Sequence, residues 1–312
     1  MCLISFSKTE NYSSKQKIDR FEGRPLWAYV NITDRCSHKC PWCYGGFNAN
    51  LKNEMRLDDF SIIIEKLQTM GILQVTLSGG EPTEHSEFKS FVQQLSQKNF
   101  LMHLATHGGT LASLAPFLIE HGLKQVQVNY QGKELHDAQH GVQGAYTSQR
   151  EGLAAALREN LEVTATITVG EYNLKKIPQL FQELEGIGLP RFRIWDATGR
   201  GNRWRKDIEA VKIFEFCRDE AAKLGFTFVQ SYDPEFEGDT GSPCPPMSGL
   251  FLHINTKGKL RFCPAVLKEP DVGDFLVHTA DELLALNHQN NKRLLDINGG
   301  RPWCVARDEA YA

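Results

Sequence analysis

The feature that most constrains the fold of this 312-residue chain is a regular alternation of short apolar runs with longer amphipathic segments. Short apolar runs predict buried strands, and apolar residues three or four positions apart predict helices that cover a sheet. The predicted strands are 27–33, 72–77, 101–105, 125–129, 163–169 and 192–195. The predicted helices are 57–70, 85–99, 111–121, 146–158, 173–188 and 207–224. Six strand-then-helix units indicate an α/β fold with a parallel sheet and right-handed crossovers.

Six units are too few for an eightfold barrel, so we expect a partial (β/α)6 barrel whose ligands gather at the carboxyl ends of the strands. The segment 231–248 is rich in Gly, Pro, Ser, Asp and Glu and is typical of a linker. A hairpin is predicted over 250–263, and Thr279 with Glu282 forms a capping box for a final helix. The expected organisation is an N-terminal extension over 1–24, a core domain over 25–230 and a small hairpin-helix domain over 231–312.

Composition excludes several classes of protein. The formal net charge of −3 argues against a general nucleic-acid binder. No apolar run approaches the roughly 20 residues that a membrane-spanning helix needs. The apolar stretch at the N-terminus is too short for a secretory signal. We therefore expect a cytoplasmic protein with no nucleic-acid or membrane partner.

Three of the eight cysteines, Cys36, Cys40 and Cys43, fall within eight residues directly after the first predicted strand. In a cytosolic chain such a cluster indicates metal binding or catalysis rather than disulfides. Three thiolates suit an iron–sulfur cluster and leave one iron of a four-iron cluster open to another ligand. A structural zinc site is the alternative, with His38 as the fourth ligand.

A second motif, Ser78-Gly79-Gly80-Glu81-Pro82, ends the second predicted strand. Together with the CxxxCxφC cysteine spacing, in which φ is Trp42, this GGEP loop resembles the radical S-adenosylmethionine (SAM) superfamily. The resemblance implies a [4Fe-4S] cluster on the three cysteines, SAM bound to its open iron, and reductive cleavage of SAM to a 5′-deoxyadenosyl radical. An electron donor such as flavodoxin or ferredoxin is implied as well.

The resemblance also implies the residues that surround SAM. Those expected at the cofactor are Gly79, Gly80, Glu81, Thr106 and Asn129. Thr106-His107-Gly108 stands where the family often has Thr-Asn-Gly, and Asn129 stands near the position of a common serine. For His136 and His140 we expect an exposed loop or helix start. The basic residues around the sixth strand, among them Arg193, either hold a carboxylate or phosphate or form a solvated surface.

Three further cysteines, Cys244, Cys263 and Cys304, lie in the last quarter of the chain. Their spacing around Gly258 resembles the start of the SPASM and twitch extensions, which implies an auxiliary iron–sulfur cluster. No cysteine closely follows Cys304. Either one iron stays open, or Asp308 or another cysteine is the fourth ligand, or these cysteines bind no cluster.

The resemblance favours an enzyme that modifies an unactivated C–H position of a peptide by cross-linking, epimerisation or oxidation. A small-molecule substrate in cofactor or antibiotic biosynthesis is the enzymatic alternative. A non-catalytic iron–sulfur or zinc protein is the remote alternative. The first 25 residues are too short for the winged-helix leader-binding domain of some peptide-modifying relatives, which weakens the peptide expectation.

Overall fold

The computed structural model describes residues 24–169, 172–189, 191–196, 216, 219–220, 222–223, 227–228, 246, 249–263 and 270–297. Its strands are β1 Trp27–Thr33, β2 Gln74–Gly79, β3 Leu101–Thr106, β4 Gln125–Asn129, β5 Glu162–Val169, β6 Arg191–Asp196, β7 Thr227–Phe228, β8 Phe251–Ile254, β9 Lys259–Arg261 and β10 Gly273–Asp274. Its α-helices are α1 Leu57–Thr69, α2 Phe88–Gln97, α3 Leu111–Glu120, α4 His136–His140, α5 Ala145–Arg158, α6 Ile177–Ile187 and α7 Ala280–Ile297.

These strands form one sheet in the order β10-β9-β8-β1-β2-β3-β4-β5-β6-β7. From β1 to β7 each strand runs parallel to its neighbour. The strand β8 pairs in parallel with the free edge of β1, while β9 and β10 continue the sheet antiparallel. The C-terminal hairpin therefore belongs to the same sheet as the predicted barrel.

The two faces of this sheet differ in polarity. Alternate residues such as Ala28, Val30 and Ile32 pack against the helices in the main apolar core. The opposite, inner face carries mostly polar side chains. They are Tyr29, Asn31, Gln74, Thr76, Ser78, His103, Gln127, Asn129, Thr164, Thr166, Thr168, Arg193 and His253. Such a face is suited to a polar ligand rather than to a packed apolar barrel.

The sheet is curled around this inner face. The Tyr29 hydroxyl on β1 lies 3.5 Å from Oε1 of Gln127 on β4. Three strand spacings in a flat sheet would separate the two strands by about 14 Å. Tyr29 also shares a side-chain hydrogen bond with Arg193 on β6. Contacts across three and five strands require a partly closed barrel, which confirms the predicted fold class.

The predicted elements agree with the structure to within a few residues at most ends. The largest shift is at α6, which begins at Ile177 rather than 173, because residues Leu174–Lys176 form a separate 3₁₀ turn. Helix α2 begins at Phe88 rather than 85. The capping box is confirmed, since Thr279 N–H donates to Glu282 at 2.7 Å and Glu282 N–H donates to the Thr279 hydroxyl at 3.3 Å. Most of the predicted helix over 207–224 lies outside the described residues.

Candidate active site

The cysteine loop begins where β1 ends, at the carboxyl edge of the parallel strands. Cys36, Cys40 and Cys43 are half-buried free thiols. Backbone bonds shape the loop: Cys36 N–H donates to Asn48 O at 3.3 Å, and Cys43 N–H donates to Cys40 O at 3.1 Å. These bonds hold the three thiols on one compact turn.

The surroundings of the thiols favour their protonated form. Burial raises the pKa of Cys36 well above its usual value, and the Glu81 carboxylate and Cys40 add to the rise. Burial, with a contribution from Cys43, raises the pKa of the Cys40 thiol to about 12. The sulfurs are thus close enough to disfavour each other's charge. A cationic metal centre would relieve that repulsion, and its binding would release protons.

The GGEP loop packs directly on the cysteine loop. Gly80 N–H donates to Thr33 O at 2.7 Å, and Glu81 N–H donates to Arg35 O at 2.8 Å. A Cβ on Gly80 would lie 2.1 Å from Arg35 O, and one on Gly79, whose φ is +131°, would lie 2.2 Å from Thr33 O. The two glycines are therefore required for contact with the backbone of the cysteine loop.

The Glu81 carboxylate is only 1 % exposed and is saturated by protein donors. Its Oε1 accepts from the Thr83 N–H at 3.1 Å, the Thr83 hydroxyl at 2.5 Å and the Thr106 hydroxyl at 2.7 Å. Its Oε2 accepts from the His107 N–H at 2.7 Å. Glu81 thus joins the ends of β2 and β3, and Thr106 is one of its partners.

His107 completes this junction with its side chain. Its Nδ1 lies 3.0 Å from the Gly109 nitrogen, and its Nε2 lies 3.3 Å from Glu84 and 3.5 Å from Glu81, so a proton on Nε2 faces two carboxylates. Burial alone would lower the pKa of His107, but Glu81 and Glu84 outweigh it and the pKa is raised. Burial would raise the pKa of Glu84, but bonds from His107 and Ser37 lower it to about 2.

Asn129 ends β4 and joins it to β5. Its side-chain amide donates to the Thr168 hydroxyl at 2.7 Å, and its Oδ1 accepts from Gln131 at 3.1 Å. The predicted cofactor residues thus lie at the ends of three neighbouring strands: Gly79 ends β2 and is followed by Gly80 and Glu81, Thr106 ends β3, and Asn129 ends β4.

A cluster of buried histidines next to the cysteine loop was missed by the sequence analysis. His38 stacks on His107 with ring centroids 3.9 Å apart, and His136 stacks on His140 at 4.1 Å. His38 and His140 meet through their Nδ1 atoms at 2.9 Å. The expectation that His136 and His140 are exposed was wrong, because the short helix α4 packs its histidine face against the cysteine loop. Their spacing of four on one helical face was the signal available in the sequence.

Burial keeps most of this histidine cluster neutral. It lowers the pKa of His38 to about 3 and that of His136 to about 4, and it lowers the pKa of His140 well below its usual value. Neighbouring histidines add to the decrease for His38 and His140. Donor atoms of His38, Cys40 and His140 also lie within 4.8 Å of one another, a set that suits a single metal ion.

Two other predicted groups are only partly described. Cys263 follows β9 and its thiol is half-buried, whereas Cys244 and Cys304 lie outside the described residues. Arg193 is 2 % exposed on the inner face, so a solvated surface is wrong for this member of the basic segment. In the part of the chain that the structure describes, no helix has the length and apolar character to cross a membrane.

The three thiols of the cysteine loop fit an iron–sulfur cluster better than a zinc site made only of protein ligands. Three thiols lie on one loop, where Cys36 interacts electrostatically with Cys40 and Cys40 with Cys43, and the backbone of the GGEP loop packs on that loop. Cys36, Cys40 and Cys43 would hold the cluster and would leave one iron open to a further ligand.

Comparison with known proteins agrees with this geometry. Residues 30–184 match the radical SAM superfamily. Fe-coproporphyrin III synthase from Methanosarcina barkeri is 29 % identical over 178 residues, which are 55 % of this chain and 45 % of that protein. PqqA peptide cyclase from Gluconobacter oxydans is 24 % identical over 260 residues, which are 80 % of this chain and 72 % of that protein.

The fold also matches solved structures. Streptococcus suis SuiB bound to its precursor peptide SuiA superposes with a TM-score of 0.68 at 15 % identity, covering 89 % of this chain and 70 % of SuiB. The chain spans less than half the length of Fe-coproporphyrin III synthase, the relative from Methanosarcina barkeri. The cysteine loop, the GGEP loop packed on it, the partial barrel and the family match lead to one conclusion: the chain belongs to the radical SAM superfamily.

Proposed function

We propose that this enzyme cleaves SAM reductively and uses the resulting radical to modify an unactivated C–H position of a peptide. When bound, the [4Fe-4S] cluster supplies the electron that splits SAM into methionine and the 5′-deoxyadenosyl radical. Cys36, Cys40 and Cys43 hold the cluster in this proposal.

The other residues predicted to surround SAM lie at the carboxyl edge of the sheet. Gly79 and Gly80 bring the end of β2 against the backbone of the cysteine loop, so that loop carbonyls and amides could contact SAM when the cluster binds it. Glu81 and Thr106 fix the ends of β2 and β3, since their side chains are bonded to each other. Asn129, bonded to Thr168, presents a polar group from β4 toward the rest of SAM.

The observation that carries the peptide proposal is the extent of the match to peptide-modifying proteins. The PqqA peptide cyclase covers 80 % of this chain, well beyond the family core at residues 30–184. The fold neighbour SuiB was solved with a precursor peptide bound. The polar inner face offers hydrogen-bonding groups to a peptide that reaches the strand ends. The chemical outcome, whether cross-link, epimerisation or oxidation, stays a prediction.

The test uses anaerobically reconstituted protein with SAM, dithionite and the peptides encoded by short reading frames beside its gene. We expect 5′-deoxyadenosine release and a mass change in one peptide, located by fragmentation. The Cys36, Cys40, Cys43 triple alanine variant is the control and should give neither product. Release of 5′-deoxyadenosine with every neighbouring peptide unchanged would contradict the peptide proposal while leaving SAM cleavage intact.

A small-molecule substrate is the second candidate. The similarity to Fe-coproporphyrin III synthase, at 29 % identity, favours it. That match covers 55 % of this chain and is named for Fe-coproporphyrin III synthesis. Reaction mixtures in which an iron tetrapyrrole precursor replaces the peptides, assayed for Fe-coproporphyrin III by absorbance and mass, separate the two candidates.

We further propose that Cys244, Cys263 and Cys304 bind an auxiliary iron–sulfur cluster in a twitch-like domain over 231–312. The support is the hairpin of β8 and β9, which ends next to Cys263 and is followed by the capped helix α7. A flavodoxin or ferredoxin as electron donor and a cytoplasmic location complete the proposal. The boundaries at 24 and 230 stay predictions.

A further inference from the structure

A histidine that the family motifs do not include makes a side-chain polar contact with one of the predicted cluster ligands. Nδ1 of His140 lies 3.5 Å from Sγ of Cys40, which is hydrogen-bonding distance for sulfur. The same Nδ1 lies 2.9 Å from Nδ1 of His38. His140 is 1 % exposed and His38 is 6 % exposed, so water competes little for either contact.

The His140 ring is held in place on three sides. It stacks on His136 at 17° between ring planes and meets the edge of Trp42 at 90°. Its backbone carbonyl accepts from Lys39 N–H at 2.8 Å, which fixes α4 against the cysteine loop. Gly141, at φ +66°, ends the helix immediately afterwards. The ring therefore cannot leave Cys40 without breaking several contacts.

The surroundings of the ring decide which nitrogen carries the proton. Nε2 of His140 is buried and has no hydrogen-bond partner among the described residues. A proton there would be a buried donor without an acceptor, which is unfavourable. A proton on Nδ1 has two acceptors, His38 Nδ1 and Cys40 Sγ. The arrangement assigns the proton to Nδ1 as a three-centre donor.

We propose that His140 is a positioning residue that donates its Nδ1–H to the Cys40 sulfur and raises the reduction potential of the SAM-binding cluster. Reduction adds negative charge that is spread over the thiolate sulfurs, and an N–H donor stabilises that charge. His38 accepts part of the same proton and so weakens the bond to Cys40. The inference concerns the cluster itself and goes beyond the peptide proposal, because no peptide takes part in it.

The experiment is an EPR-monitored redox titration of the reconstituted full chain, following the signal that changes when SAM is added. His140→Phe keeps a ring for stacking but removes the donor, and should shift the potential to more negative values. His140→Asn restores a donor on the same atom position, since its amide nitrogen is also attached to Cγ, and should recover most of the shift. His38→Phe removes the competing acceptor and should shift the potential in the positive direction.

Controls separate this effect from damage to the fold. His288→Phe changes an exposed histidine on α7 and should leave the potential at the wild-type value. Iron content and the SAM-dependent EPR change should match wild type in every variant that is scored. A His140→Phe variant with full iron and an unchanged potential would overturn the proposal.

A measurement on the wild-type protein covers the case in which His140→Phe loses its cluster. Protein grown with ¹⁵N-histidine should show a ¹⁵N coupling to the reduced SAM-binding cluster, transmitted through the N–H···S bond. Absence of that coupling would also overturn the proposal. Neither readout uses a peptide, so failure here is distinct from failure of peptide modification.

Discussion

The Thr106 hydroxyl donates to the Glu81 carboxylate at 2.7 Å, and this bond joins the ends of two neighbouring parallel strands. Glu81 accepts three more bonds, two from Thr83 and one from His107. Glu81→Gln replaces one acceptor oxygen by an NH₂ group, which cannot accept, so at least one buried donor loses its partner. We expect the free energy of unfolding to fall by about 1–3 kcal/mol in urea titrations.

The matched control for this substitution is Glu87→Gln. Glu87 is exposed, and its side chain makes no capping hydrogen bond at the start of α2. It should leave the free energy of unfolding unchanged within about 0.5 kcal/mol. Equal effects of the two substitutions would show that the Glu81 bonds contribute nothing to stability.

Gly80→Ala adds only one methyl group, but we expect it to disturb the cysteine loop strongly. The added methyl would lie 2.1 Å from Arg35 O, so one backbone segment must move. We expect a loss of about 1–3 kcal/mol in stability and weaker SAM binding by calorimetric titration of the reconstituted protein. Gly80→Val should block SAM binding.

Gly186→Ala is the control for Gly80, because nothing lies within 4 Å of the added methyl and the residue is inside α6. It should be neutral or more stable by roughly 0.5–1 kcal/mol, with SAM affinity unchanged. Unchanged SAM affinity in Gly80→Ala as well would contradict a tight contact between the two loops.

His107→Asn should change how stability depends on pH. The carboxylates of Glu81 and Glu84 raise the pKa of His107 against the effect of burial, so the folded protein favours its protonated form. The stability gained from protonated His107 is fully present below about pH 6.5, the pKa of histidine in the unfolded chain. It is lost as the pH rises through the pKa of His107 in the folded protein. Glu84, whose pKa is lowered to about 2, stays charged throughout this window.

We therefore expect the stability difference between wild type and His107→Asn to shrink as the pH rises from 6 upward, measured by urea unfolding of cluster-free protein. His288→Asn, at an exposed site, should show a constant difference from wild type. A His107 difference that grows with pH would mean that the histidine is neutral in the folded protein.

Iron content should separate the two predicted clusters. Reconstituted wild type should hold roughly eight irons per chain, as two four-iron clusters require. The Cys36, Cys40, Cys43 triple alanine variant and the Cys244, Cys263, Cys304 triple alanine variant should each keep roughly half of that. The control is Cys217→Ala, which changes a cysteine outside both predicted ligand sets and should keep all of the iron. Full loss of iron in the first triple variant would remove the auxiliary cluster.

The strands and helices could be predicted because their apolar periods are long and regular, as in α1 and β5. The hydrogen-bond and packing partners of individual residues could not be predicted from the sequence. The sequence motif predicts Gly80 at the cofactor, but it does not show that Gly80 packs closely on Arg35 O, which lies 45 positions earlier. Likewise, the spacing of His136 and His140 indicates that they share one face of α4, but the burial of that face depends on contacts with the cysteine loop that only the folded chain creates.

The pairing of β8 with β1 limits how this enzyme can be rearranged by evolution or by design. The two strands run parallel, so the turn after β8 lies beside the start of the cysteine loop, with the Thr256 hydroxyl 3.4 Å from Asp34 Oδ2. A chimera that exchanges the C-terminal segment with that of a relative must therefore supply a strand for the edge of β1. Without it, the backbone that leads into Cys36 would border solvent along Trp27–Val30.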